Sequence, residues 1–180
     1  DRTRPLTEEG KVDSAIVLEF LKDKKIDSFY CSPYKRSMDT IADAAAFFGK
    51  EIITDERLRE REKGPEGNNH GMFQERWADH DYHEEGGESI AMVQNRNIGA
   101  LNEILSDNTD KDIVIGTHGT ALSTILNFYD NSFGCEEFLR IIDWMPYIIE
   151  LDFEGDKLVG KQEHCHVEKE FKGKQRADKK

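Results

Sequence analysis

What the sequence has little of narrows the field first. Its 180 residues include only three cysteines. Cys31, Cys135 and Cys165 are odd in number and far apart, which argues against a disulfide framework and for reduced thiols. No apolar run approaches the roughly 18 residues of a membrane-spanning helix, and no secretory leader is visible. A cytoplasmic protein with no membrane partner is therefore expected. Basic residues are outnumbered, with 25 Lys plus Arg against 37 Asp plus Glu and a net charge of −12. Such a surface repels polyanions, so nucleic acid is not an expected partner. A small anion remains open to it, because a pocket's field is set by the charges lining it and distant ones are screened over about 8 Å. The sequence also lacks a P-loop, a dinucleotide fingerprint, internal repeats and low-complexity stretches.

What is present alternates between helical and strand patterns. Thr7 is a suitable N-cap for a first helix in which Val12, Ala15, Ile16 and Phe20 share a face, ending near Lys24. Residues 26–31 predict a short strand, and Pro33 opens a second helix with Met38, Ile41, Ala42, Ala45 and Phe48 inward, stopped by Gly49. Residues 51–54 suit another short strand. Residues 62–87 are polar and rich in glycine, the composition of an active-site or lid insertion. A third helix is predicted over residues 88–105, with Ile90, Val93, Ala100, Leu101 and Ile104 on one face. The apolar run at residues 112–116 (DIVIG) predicts a strand buried on both sides in a parallel sheet. A fourth helix follows with Leu122, Ile125, Leu126 and Tyr129 in register. Residues 147–153 and 158–167 predict a hairpin turning at Gly155, and residues 168–180 a charged, frayed tail. The fold class expected is α/β, a three-layer sandwich whose mostly parallel central sheet has helices on both faces. A single domain covers residues 1–167.

Two strand-to-helix junctions share one design. In SPYKRSMDT a strand ends at Cys31 and Arg36 falls in the first turn of the next helix. In IGTHGT a strand ends near Gly116 and His118 opens the following helix beside Gly119. Ligands of open α/β sheets bind outside the carboxyl ends of the strands, where helix N-termini offer unpaired N–H groups to an anion. Arg36 adds a planar fork matching phosphate oxygens, a protonated His118 would add attraction for the anion, and Gly119 allows close backbone approach. Taken singly, Arg36 could just pair with a carboxylate and His118 could be a satisfied helix-start histidine. The run RLREREKG at residues 57–64 reads on composition as a solvated surface. Cleavage of a phosphate ester needs a proton for the leaving alkoxide, however, and Glu60, Glu62 and Glu88 are candidates to donate it.

The order PLTEEG, SPYKRSMDT, RLRERE before a glycine, GGES and THG resembles the histidine phosphatase superfamily, the phosphoglycerate mutase-like fold, over residues 1–153. The resemblance implies a phosphate pocket of two arginines and two histidines. One histidine attacks phosphorus and a carboxylic acid protonates the leaving group. It implies Arg36 and His118 as phosphate ligands with the backbone at Gly119, His118 as the non-nucleophilic catalytic histidine, and Glu60 as the acid. A small phosphorylated substrate, no cofactor and no metal are implied. The family's nucleophile lies in an Arg-His pair upstream of the PLTEEG-like segment, whereas here no histidine precedes His70. Two readings follow. Either the nucleophile lies on a segment of roughly 10 to 20 residues upstream of Asp1, giving a metal-independent phosphomonoester hydrolase or mutase, or the chain is an inactive phosphate-ligand or protein-binding module of the same fold. Arg2 and Arg4 could touch the pocket or lie exposed. Histidines elsewhere admit a weaker metal-binding reading: His80 and His83 near Asp79, Asp81 and Glu84, and His164 with His166 on one strand face. Zinc sites normally need three or four protein ligands.

Overall fold

The computed structural model describes residues 2–65 and 72–170. Helix α1 spans Glu8–Leu21, and the Thr7 hydroxyl accepts from the Gly10 N–H at 3.0 Å, satisfying one donor that a helix start leaves unpaired. Its buried face is Ser14, Val17 and Leu21. The expected stripe is a correction, since Val12 is 73% exposed and Ala15 is also exposed. The helix is apolar on more than one side, and the side carrying Val17 and Leu21 is the one that packs on its neighbours.

Strands β1 (Ser28–Cys31), β2 (Ile52–Thr54) and β3 (Ile113–Gly116) form a parallel sheet in the order β2-β1-β3. Side chains alternate across it. Phe29 and Cys31 face α1 and α2 (Lys35–Phe47) together with Ile41, Ala44, Ala45 and Val114. Tyr30, Ile113 and Ile115 face the other way, onto Ala100 and Ile104 of α4 (Ile90–Asp107) and Leu58 of a 3₁₀ turn at Glu56–Leu58. Helices therefore cover both faces, and the three-layer α/β architecture is as the sequence predicts. Along α2 only Ala42 of the expected inward set is exposed. Along α4 all five predicted core residues are buried. Strand β3 departs from expectation: Ile113, Val114 and Ile115 are half-buried. Among the described residues β3 is an edge strand, which removes one set of neighbours.

Helix α5 (Gly119–Tyr129) follows β3 and packs on α4. Among its described residues, the segment at 62–87 is not all irregular loop. It carries helix α3 (Phe73–Ala78), whose Phe73 and Trp77 rings lie 5.3 and 5.7 Å from Phe138. Phe138 belongs to α6 (Cys135–Ile141), a helix the sequence reading did not anticipate. Within the segment Arg76 is 2% exposed and paired with Glu84, and Gly67, His70 and Gly71 lie outside the described residues. The hairpin is present and longer than predicted, with β4 (Trp144–Glu154) antiparallel to β5 (Lys157–Glu168). Gly155 turns it at φ +63°, a left-handed conformation that glycine takes without steric cost. The tail is held at its start, a correction to the frayed reading: the Lys169 N–H donates to the Asp143 carbonyl at 2.8 Å, and its ammonium pairs with Glu9 and Asp13. Residues 171–180 lie outside the described residues.

Candidate active site

Both junctions deliver their residues to the carboxyl end of the parallel sheet. At the first, β1 ends at Cys31, and Ser32, fully buried, anchors the turn by donating its N–H to the Gly116 carbonyl at 2.9 Å. At the second, β3 ends at Gly116, where an added Cβ would lie 2.7 Å from Cys31 Sγ and 3.2 Å from Ile41 Cδ1. Glycine at that position lets the two junctions touch. His118 is the N-cap of α5, and its Nε2 is hydrogen bonded to Ser32 Oγ at 2.7 Å. The Tyr34 ring lies edge-on to the imidazole, centroids 5.1 Å apart, and the Arg36 guanidinium sits over that ring at 4.9 Å. Arg36 and His118, far apart in sequence, thus both contact the ring of one tyrosine.

Glu60 reaches the same place from the loop after the 3₁₀ turn. Its Oε2 accepts from the Thr120 N–H in the first turn of α5 at 3.2 Å, and its Oε1 from the Arg61 N–H at 2.8 Å. Gly119 is exposed, and a Cβ there would meet no atom within 4 Å. The space above it is open. The other carboxylates named from the sequence are committed elsewhere. Glu62 pairs with Arg59 at 3.1 Å and Arg2 at 3.8 Å. Glu88 lies between Arg59 and Arg96, at 2.9 and 2.8 Å. Burial works to raise the Glu88 carboxyl, but Arg96, the Glu62 N–H and Arg59 together hold it below the usual carboxylate range.

The electrostatics correct one expectation. Burial pushes the His118 imidazole down to about 4; Glu60 opposes this, and Arg36, Arg96 and Arg4 add to it. Without an anion present the ring is therefore neutral at pH 6 as well as at pH 8. Arg36 is lowered by burial and by Arg4, against Glu60, and as a guanidinium it stays cationic. Lys63, an exposed side chain, is lowered by desolvation, then by Arg4, Arg61 and Arg36 against Glu60. Arg4, Arg36 and Lys63 therefore place local positive charge where the chain's net balance is strongly negative. Sequence reasoning missed Ser32, Tyr34 and Lys63. The first two lie inside SPYKR and could have been found by asking what packs against Arg36; nothing in the pattern marks Lys63. Of the two arginines left open, Arg2 pairs with Glu56 at 2.8 Å on the rim and Arg4 acts on the site itself.

The histidines read as possible metal ligands have other company. His164 Nε2 is 2.8 Å from Glu150, His166 stacks on Trp144 at 3.6 Å, His80 lies edge-on to Trp77, and His83 Nδ1 meets the Glu84 carbonyl. Among the described residues no three His, Cys, Asp or Glu side chains gather as a metal site. No helix among them is long and apolar enough to cross a membrane.

Arg36, His118 and the Glu60 carboxylate thus lie together at the carboxyl end of the parallel sheet. The chain belongs to the histidine phosphatase superfamily (branch 1), matching the family over residues 3–157. It is 29% identical over 126 residues to phosphoserine phosphatase 1 of Hydrogenobacter thermophilus, covering 63% of this chain and 58% of that relative's length. Among solved structures it resembles a phosphoserine-bound mutant of phosphoserine phosphatase from Entamoeba histolytica, with TM-score 0.71 and 21% identity, over 87% of this chain and 83% of the other. YhfR of Bacillus stearothermophilus is similar at TM-score 0.68 and 25% identity, over 87% and 82% of the two chains. The mycobacterial glucosyl-3-phosphoglycerate phosphatase matches at 0.63 and 20%, over 69% and 67%.

Proposed function

We propose that this protein is a metal-independent, cytoplasmic phosphomonoester hydrolase acting through a phosphohistidine. The observation that carries the reading is the convergence of Arg36, His118 and Glu60 on the start of α5. Arg36, the His118 imidazole and the N–H at Gly119 seat the phosphoryl group. The nucleophile's nitrogen attacks phosphorus, the ester P–O bond breaks, and the electron pair leaves on the alkoxide oxygen, which takes a proton from Glu60. Water then attacks the phosphohistidine and returns a proton to Glu60, releasing inorganic phosphate. A relative named as a phosphoserine phosphatase supports hydrolysis, and a small phosphorylated metabolite as substrate. The only histidine contributed to this cluster by the described residues is His118, which keeps a second reading in play: an inactive phosphate-binding module of the same fold.

One experiment separates the two. The full-length protein should hydrolyse para-nitrophenyl phosphate at a rate unaffected by EDTA. Arg36→Ala should weaken calorimetrically measured phosphate binding by about 10-fold to 150-fold, the range of one lost charge-assisted contact of about 1.5 to 3 kcal/mol. Retained phosphate binding without any turnover would establish the module reading. Unchanged phosphate affinity in Arg36→Ala would remove both.

A further inference from the structure

If Glu60 is the proton donor, its loop must be held still, and that loop is irregular backbone in one of the most charged stretches of the sequence. The side chain holding it comes from elsewhere. Arg96, in the middle of the 18-residue helix α4, donates all five of its N–H groups. Nη1 donates to the carbonyls of Arg57 and Arg59, both at 2.7 Å, and Nη2 to the carbonyl of Glu60 itself at 3.1 Å. Nε and the second Nη2 proton meet the two oxygens of Glu88, each at 2.8 Å. Glu88 in turn accepts from Arg59 Nη2 at 2.9 Å and from the Glu62 N–H at 2.8 Å, while its own N–H donates to the Glu62 carbonyl at 3.0 Å.

Backbone carbonyls at 57, 59 and 60 and the N–H at 62 are thus gathered by one guanidinium and the carboxylate it grips. Arg96 and Glu88 are only 12% and 14% exposed. A planar five-donor fork fits this set of acceptors, whereas an ammonium has three donors and no fixed plane.

We propose that Arg96, braced by Glu88, is a positioning residue that sets the Glu60 carboxyl relative to the substrate's leaving oxygen, an inference that rests on Glu60 being the proton donor. Arg96 touches neither substrate nor reacting atoms in this reading. It acts through the Glu60 backbone, and an error of about 1 Å in such a group can cost on the order of 100-fold in rate. The loss falls on the step needing a proton, so it depends on the leaving group, which a general loosening of the fold would not produce.

The test compares two substrates in the full-length protein: an alkyl phosphate such as phosphoserine, whose leaving alkoxide needs a proton, and para-nitrophenyl phosphate, whose leaving group barely does. Variants are Glu60→Gln, Arg96→Lys and, should Arg96→Lys not fold, Arg96→Gln, each checked by its thermal melt. Arg96→Lys should lower kcat/KM, which reports phosphoryl transfer to the enzyme and not the later hydrolysis common to both substrates, by about 10-fold to 100-fold on the alkyl phosphate and by less than about 3-fold on para-nitrophenyl phosphate. Glu60→Gln should show the same split, and larger. Equal losses on both substrates, or none on either, in the folded Arg96 variant while Glu60→Gln keeps its split would overturn the positioning role alone. Absence of a split in Glu60→Gln would instead overturn the proton-donor reading and this inference with it.

Discussion

Glu60 and Glu88 lie on two loops joined backbone to backbone, yet their surroundings could hardly differ more. Glu88 accepts four hydrogen bonds, three of them from the guanidiniums of Arg59 and Arg96. Glu60 accepts from two backbone N–H groups, those of Arg61 and Thr120. One carboxylate is a structural counter-charge, and the other is left available beside His118. A charge-rich stretch is therefore sorted by partners and not by composition. Glu88→Gln should destabilise the protein by about 2–3 kcal/mol, since it leaves the largely buried Arg59 and Arg96 guanidiniums without their anion. Glu60→Gln should cost about 1 kcal/mol, because the single amide oxygen keeps one of the two N–H contacts and the amide NH2 loses the other. Denaturant unfolding of the two variants checks this, and equal losses would break the contrast.

His118 sharpens the contrast from the other side of the pocket, where burial and not pairing sets the chemistry. Its folded value of about 4 lies below the ordinary 6.5, so between those values the unfolded chain binds the extra proton. Its contribution is present in full above pH 6.5 and is lost as pH falls through that window toward 4. Because the ring keeps some exposure, we expect a loss of about 1–2 kcal/mol between pH 7 and pH 5. His118→Asn should flatten that slope by the same amount in paired unfolding curves at the two pH values. An unchanged slope would show that the ring is hydrated and takes up its proton as readily in the folded chain as in the unfolded one.

How much of this was legible beforehand follows from the range of the forces involved. Strand β3, helices α2, α4 and α5, and the placement of Arg36 and His118 are encoded in local patterns: a β-branched run, helix starts and the three-and-four spacing of residues such as Ile90 and Val93. The face that α1 buries was not legible, because Val12 and Val17 are equally apolar and only contact with α2 and β1 chooses between them. Helix α6 was missed, and its burial depends on Phe73 and Trp77 arriving from residues 62–87. At the site, Glu60 could be separated from Glu62 and Glu88 only by the family resemblance. The geometric separation needs Arg96, 36 positions away in sequence (96 − 60) and unremarkable among the residues of its helix. The neutral state of His118 likewise depends on burial by Ser32 and Tyr34, which no spacing rule reports.

The two glycines of IGTHGT offer the smallest and cleanest test of which parts of the junction are for packing and which for a ligand. Gly116 is fixed by packing, with Cys31 Sγ where a Cβ would go, whereas Gly119 faces open space and has no left-handed backbone to relax. Alanine at 119 should therefore be tolerated by the fold. Restricting the unfolded chain should raise stability by about 0.5 kcal/mol. The same methyl would project into the space where the phosphoryl group is proposed to approach the first turn of α5, so phosphate affinity should fall even as the melting temperature rises slightly. The opposite signs matter more than the sizes, because a general perturbation would lower both. Calorimetric titration with inorganic phosphate, alongside a thermal melt of Gly119→Ala, reads the two quantities on one sample. Affinity equal to that of the parent protein would move the anion away from Gly119 and leave Arg36 and the His118 ring to define its seat.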